Sequence, residues 1–441
     1  MPSPESLALP GLCRPTKDLM NIGVYGSGYL GTIMSACLAD FGTPVTCFDT
    51  DSSRIMDLAQ GVIPFYEKNL KEVIRRNIRA GRLIYSTESE SLAQRAKIIF
   101  LAEDSSRYLE DVALNIAKVS AQDAVLVIST PSPVGTSRRI EEKIRAAGCK
   151  QTIVSHPVFL TDGCAVEDFN WPDRIILGTD SSAAVMEIKG IYRPLVMRGV
   201  PVIVTNYETA ELVRESSTAF VATKISFINE LSSLCERVNA DAVDLALALG
   251  LDKKIAPRCL QPGVSFGGSF VETEMDSLAQ LASGHNVSLK VLQAAREVNR
   301  MLSERMVDKI SRMMENVAGK EVAILGLAYK PNTNSVAGSS SIMLARGLTK
   351  KGAKVRAYDP VAIPEAQVEL TSSIRYCDSA YAAAEGTDAM VVGTGWPEFR
   401  ALDFEKVKRI MRRPVIVDTK NLLDPERLRS MGFQYVGVGR A

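Results

Sequence analysis

The chain has only two histidines, His156 and His285, and its eight cysteines include no pair at C-x-x-C spacing. Neither a His-rich metal centre nor a zinc or disulfide framework is therefore expected, and no metal is assigned. Charge of one sign is also missing: 52 Lys and Arg against 51 Asp and Glu leave +1 over 441 residues. Without a basic or acidic field, neither nucleic acid nor an acidic membrane surface is an expected partner. Long hydrophobic runs are absent, and stretches such as Ala124–Ile128 are far too short to span a bilayer. The first twenty residues lack the basic start and unbroken apolar core of a secretory signal, and they contain several prolines. Residues 1–20 thus read as a flexible extension, and the expected location is cytoplasmic with reduced thiols. At 46% hydrophobic and 23% charged the composition is that of a globular protein, and the length asks for two or three domains.

What is present begins at Asn21–Tyr25, a short apolar strand. It runs into GSGYLG, with Gly26, Gly28 and Gly31 at G-x-G-x-x-G spacing, and then into a helical pattern through Ala39. The next strand, Val45–Phe48, ends at Asp49. This order of strand, glycine turn, helix, strand and acid is the context in which the spacing signifies dinucleotide binding. The first glycine permits the turn, the second lets a pyrophosphate approach the backbone, and the third lets helix and strand pack closely. Asp49 would accept from the ribose hydroxyls and repel a 2′-phosphate, so NAD is expected rather than NADP. Tyr29 and Leu30 in the turn and Arg54 beyond the acid complete the expected cofactor set.

Strands continue at Lys97–Ala102, Ala124–Ser129 and Thr152–Ser155 with helical segments between, the alternation of a doubly wound parallel sheet. Tyr207–Asn239 reads as one long helix, followed by a helix at Ala242–Leu249 and helical patterns from Asp276 to Val317. A second α/β unit starts at Glu321, with strands at Val322–Leu325, Lys354–Ala357, Ala389–Val392 and Pro414–Val417. The expected fold class is α/β: two Rossmann-like doubly wound parallel-sheet domains joined by a long central helix and a helical dimerisation region. The expected spans are 21–205 for NAD, 206–315 for the central helices and 316–441 for a C-terminal nucleotide(-sugar) domain.

Between these units lies PGVSFGGSFVETEMDSL (262–278), a glycine-rich loop with an acidic, helix-like continuation. This loop, GSGYLG, PVGT (133–136), AEL (210–212), KISFINE (224–230), GLAYKPNT (326–333), AYDP (357–360) and the terminal GFQYVGVGR occur in an order that resembles the UDP-glucose/GDP-mannose dehydrogenase family from about residue 20 onward. The resemblance implies a homodimer formed through the central helix and a nucleotide-sugar-like substrate held between the two α/β units. It also implies oxidation of a sugar CH2OH to a carboxylate through a thioester on a cysteine that follows GGS.

Here GGS is followed by Phe270, so the implied nucleophile is missing. The family's asparagine–proline–glutamate is His156-Pro157-Val158, so its glutamate is lost; its helix lysine is Arg214, the asparagine one turn later is Thr218, and its apolar–Pro–Thr–Pro loop is Glu103–Ser106. Glu274 stands near the family's aspartate, Lys254 where an arginine is implied, and Lys330 where a lysine approaches the nucleotide phosphates. The candidate catalytic residues are His156, Arg214, Thr218 and Glu274. His156 reads either as a replacement proton carrier or as a polar residue beside the cofactor. Phe159, Leu160, Lys254, Phe266, Gly267, Phe270 and Lys330 are the candidate substrate contacts. Three functions stay open: an NAD-dependent oxidoreductase limited to one two-electron alcohol–carbonyl step or a transient oxidation, a pseudoenzyme that binds NAD or a nucleotide sugar, and a four-electron dehydrogenase with a relocated cysteine such as Cys164 or Cys259.

Overall fold

The computed structural model describes residues 22–88, 90, 93–268, 271–370 and 374–440. The expected N-terminal extension and Phe270 lie outside the described residues. The chain divides into two compact units, Met1–Arg214 and Glu215–Ala441.

The first unit holds an eight-stranded sheet: β1 (Ile22–Tyr25), β2 (Val45–Phe48), β3 (Leu83–Ser86), β4 (Ile98–Leu101), β5 (Val125–Ile128), β6 (Thr152–Ser155), β7 (Ile175–Gly178) and β8 (Val202–Thr205). Their order is β3-β2-β1-β4-β5-β6-β7-β8. Helices cover both faces, so the inner strands are continuous apolar runs rather than alternating ones; β4 (IIFL) and β5 (VLVI) are buried at every position. Strand order reverses between β1 and β4, and the loops leaving these two strands flank the switch point where such sheets take ligands. The purely parallel expectation is corrected at one edge. β7 meets β6 antiparallel through Ser155 and Gly178, then pairs parallel with β8. β3, β7 and β8 are not among the strands read from the sequence.

The second unit contains β9 (Glu321–Leu325), β10 (Lys354–Tyr358), β11 (Ile374–Tyr376), β12 (Ala389–Val392), β13 (Val415–Asp418) and β14 (Gln434–Gly437). Their order, β11-β10-β9-β12-β13-β14, is parallel throughout. The helices Ala242–Leu251, Val271–Gly284 and Lys290–Met313 precede the sheet. The 32-residue helix Tyr207–Val238 begins in the first unit and ends in the second. Helix Val271–Gly284 starts before the expected Asp276. Its first turn carries Glu272 and Glu274, which suit the positive end of a helix although they break the apolar period.

After helix Ala242–Leu251 the chain makes a single turn in which Ile255 and Ala256 both donate to the Asp252 carbonyl. Ala256 closes that turn at φ 62° and Pro257 follows. A left-handed residue before proline is a position where glycine is the usual occupant, because a Cβ is strained there. Lys224 holds the turn from outside, donating to the carbonyls of Ile255, Ala256 and Arg258. Ala256→Gly is expected to raise the unfolding free energy of this unit by up to about 1 kcal/mol, the relieved strain exceeding the added freedom of the unfolded chain. Urea titration of the full chain, followed by circular dichroism, checks it.

Candidate active site

The fingerprint turn has the geometry that its glycines require. Gly26 takes φ 105°, and a Cβ there would meet the Ala102 carbonyl at 2.6 Å. At Gly31 a Cβ would lie 1.9 Å from the Gly26 carbonyl oxygen, so the helix Tyr29–Asp40 packs on the turn with no room for a side chain. Asp49 is buried and ties the end of β2 to this turn. Its Oδ2 accepts from the Ser27 N–H and hydroxyl, both at 2.7 Å, and its Oδ1 accepts from the Asp51 N–H at 3.0 Å. Burial alone would push the Asp49 carboxyl up, but Ser27, the Asp51 N–H and Arg54 together hold it below the usual carboxylate range. Three donors on a carboxylate with about four acceptor sites leave room for one more hydroxyl on Oδ1.

Tyr29 is occupied on its far side. Its ring packs on Phe65, and its hydroxyl donates to Glu67 Oε2 at 2.8 Å. The same buried carboxylate accepts from the N–H groups of Gly163 and Ala165 at 2.6 and 3.0 Å. Leu30 is buried, and Arg54 reaches Asp51 at 3.5 Å. The loop after β4 brings Glu103 and Asp104 beside the turn. Glu103 donates its N–H to the Thr130 hydroxyl, and its carboxyl is pushed up by burial and by the neighbouring Asp49 and Asp104.

His156 requires a correction. It is 4% exposed, and both ring nitrogens are engaged inside the first unit: Nδ1 lies 3.0 Å from the Ile176 carbonyl and Nε2 2.9 Å from the Tyr192 hydroxyl. A carbonyl only accepts, so Nδ1 carries the proton and Nε2 accepts from Tyr192. Burial lowers its pKa to about 4 against the opposing Ile176 bond, so the ring is neutral at physiological pH. With no nitrogen facing solvent, His156 is a satisfied core residue rather than a proton carrier. Arg214 Nη1 donates to the Val158 carbonyl, taking hold of the strand-end segment in which the family's glutamate is lost. Phe159 is half-buried under the Arg174 guanidinium, 4.2 Å from the ring centroid, and Leu160 packs on the core.

In the second unit the glycine loop keeps its backbone frame. Gly263 donates to Asn229 Oδ1, and Phe266 exchanges its N–H and carbonyl with the Asn299 amide. Gly267 lies against Gly338, where a Cβ would meet the Gly338 carbonyl oxygen at 2.4 Å; Gly268, at φ 123°, donates to the Ala337 carbonyl. The Phe266 ring is largely buried, packed with Ala222, Met275, Leu278 and Leu292. Thr218 donates its hydroxyl to Glu274 Oε2. Lys254 is exposed, and Lys330 lies 5.9 Å from the Tyr329 ring centroid. Of the cysteines, Cys37, Cys47, Cys149, Cys235 and Cys377 are buried. Burial pushes the thiols of Cys37, Cys47 and Cys377 up, away from the thiolate form.

Sequence models of the UDP-glucose/GDP-mannose dehydrogenase family match the NAD-binding domain over residues 20–196, the central domain over 208–301 and the UDP-binding domain over 323–425. A UDP-glucose 6-dehydrogenase of Bacillus subtilis is 35% identical over 434 residues, covering 96% of this chain and 94% of that protein. The chain belongs to the UDP-glucose/GDP-mannose dehydrogenase family. A second relative, the UDP-glucose 6-dehydrogenase of Rhizobium meliloti, is 34% identical and covers 96% of this chain and all of that one. The structure of a UDP-glucose dehydrogenase from Pyrobaculum islandicum superposes with a TM-score of 0.87 at 28% identity, covering 98% of this chain and 100% of that one. The family's cofactor is NAD, and the fingerprint turn with Asp49 fits it. Among the described residues no helix is long and apolar enough to cross a membrane.

The folded pKa of His156, about 4, lies below the ordinary value of 6.5. The unfolded chain therefore takes up a proton first, and stability is complete above pH 6.5 and is lost as pH falls towards 4. The shift corresponds to roughly 3 kcal/mol. His156→Gln is expected to be less stable than the parent at neutral pH and to lose less on acidification, so that the gap narrows across this window. Denaturant titrations of both proteins across that range check the narrowing.

Proposed function

We propose that this family member carries out a single two-electron interconversion of an alcohol and a carbonyl on a nucleotide-sugar-like substrate, and not the four-electron oxidation to a carboxylate. The observation that carries this reading is the Thr218–Glu274 bond beside a loop whose glycine frame is intact. A thioester needs a nucleophile, and Phe270 offers none. An alcohol oxidation needs only a hydride acceptor, which bound NAD supplies, and a group that takes the hydroxyl proton. In this reading Thr218 accepts a hydrogen bond from the substrate hydroxyl while donating its own proton towards Glu274, whose carboxylate is the terminal acceptor; the Thr218–Glu274 bond supports it. Arg214 orients the Val158 segment. The burial of five thiols leaves the relocated-cysteine reading to Cys164, which is half-buried, and Cys259, which is exposed.

A pseudoenzyme is the second reading, supported by the enclosure of His156 and by the acidic pair Glu103 and Asp104 beside the fingerprint turn. The division into residues 21–205, 206–315 and 316–441 and a cytoplasmic location belong to the same proposal. So does a homodimer through the central helix, supported by Phe220, Phe227 and Leu234, which recur every seven residues along it and are 66%, 52% and 54% exposed.

Incubation with NAD and a panel of UDP- and GDP-sugars, read by NADH absorbance and mass spectrometry, is expected to give one NADH per aldehyde or keto product. Glu274→Gln and Thr218→Val should each lower turnover by roughly a hundredfold with less change in KM. Two NADH and a carboxylate would return the reaction to the four-electron type; binding of both ligands without NADH would establish the pseudoenzyme. Phe227→Glu is expected to halve the mass measured by light scattering.

A further inference from the structure

The helix Tyr29–Asp40 begins at Gly28 with no side-chain cap from its own N-cap residue. Its first N–H groups are nevertheless satisfied. Tyr29 N donates to Asp104 Oδ2 at 3.1 Å, and Leu30 N donates to Asp104 Oδ1 at 3.3 Å. A Cβ built on Gly28 would lie 1.9 Å from Asp104 Oδ2, so the carboxylate fills the space that the second glycine leaves open. In a dinucleotide fingerprint that space and those N–H groups belong to the pyrophosphate. A carboxylate held by both oxygens on two helical N–H groups is a stand-in for the phosphate oxygens.

We propose that Asp104 is an intramolecular competitor for the dinucleotide, and that NAD binds this chain only by displacing the Asp104 carboxylate from the N-terminus of helix Tyr29–Asp40. The inference rests on the dinucleotide reading of the turn and not on the reaction proposed above. Asp104 is solvent-exposed near the start of the loop after β4, on the opposite side of the strand-order switch from the glycine turn. It is therefore able to leave without opening the core. The surroundings make the exchange a real contest. Glu103 is the carboxylate beside it and Asp49 is the next one beyond Glu103; Arg54 is the cation that acts on Asp49 and Glu103, and Tyr25 lies against the same pair. A pyrophosphate entering here adds two negative charges where Asp104 already occupies the favourable position.

The test is binding by isothermal titration of the full-length protein with NAD, ADP and adenosine, independent of turnover. Asp104→Ala is expected to tighten NAD and ADP by roughly three- to thirty-fold, the worth of a charge at a helix N-terminus, and to leave adenosine unchanged. Asp104→Asn, which keeps the shape and an acceptor oxygen, should give a smaller gain. Glu103→Gln removes a neighbouring charge without vacating the N–H groups and should give a smaller gain than Asp104→Ala. Unchanged or weaker NAD binding in Asp104→Ala, an equal gain in Glu103→Gln, or no NAD binding in either parent or variant would each overturn the proposal. Circular dichroism and the thermal midpoint of each variant verify that the turn still folds. A competent binder without turnover would leave this inference standing while refuting the reaction.

Discussion

A carboxylate at the end of the second strand of each unit, bonded to the backbone of the turn that ends the first strand, is the constraint on which both halves are built. In the first unit Asp49 receives the Ser27 N–H and hydroxyl; in the second, Asp359 receives the N–H groups of Leu327 and Ala328. Each bond fixes a loop at the carboxyl edge of a parallel strand pair, where peptide groups have left the ladder and need partners. The two clamps differ in how full they are. Asp359 also takes the Trp396 indole N–H and the N–H groups of Val361 and Ala362, and it is 2% exposed. Its acceptor sites are spent on the fold. Asp49 keeps one site open, so the same device remains usable for recognition in the first unit alone.

The sequence made the skeleton legible because its strongest signals are physical necessities. The spacing of Gly26 and Gly31 is dictated by backbone contacts that leave no room for a Cβ, and the apolar runs at β4 and β5 by burial on both faces. The long helix was readable from its three- and four-residue periodicity. What stayed hidden were pairings across the chain. Glu67 joins the Tyr29 hydroxyl to the turn at Gly163, and Glu211 caps the helix Thr136–Ala146 by accepting from Gly135 and Ser137. PVGT and AEL were visible as separate motifs, but a string of letters does not say which carboxylate reaches which N–H. Asp104 belongs to the same class: the replacement of an apolar loop by Glu-Asp-Ser-Ser was visible, its destination was not.

The candidate site reads as a set of compensations. Losing a functional group from a packed site leaves a neighbour unsatisfied, and a second change restores the balance. Thr218 and Glu274 bond each other where an asparagine and an aspartate are implied, and Arg214 takes the Val158 carbonyl. The glycine loop survives because its shape depends on Asn229, Asn299 and the backbone at Ala337–Gly338 rather than on the residue that follows it. A frame held this way tolerates exchange of its chemical payload.

The scarcity of histidine has a practical side. His156 is sealed with its tautomer fixed by Ile176 and Tyr192, whereas His285 is exposed in the turn after helix Val271–Gly284. One imidazole lies in each unit. Their ring protons should differ widely in exchange with solvent and in reactivity towards acylating reagents. The chain thus carries a native pair of probes, a surface reference and a sensor of interior opening in the dinucleotide half, with no label needed to tell them apart.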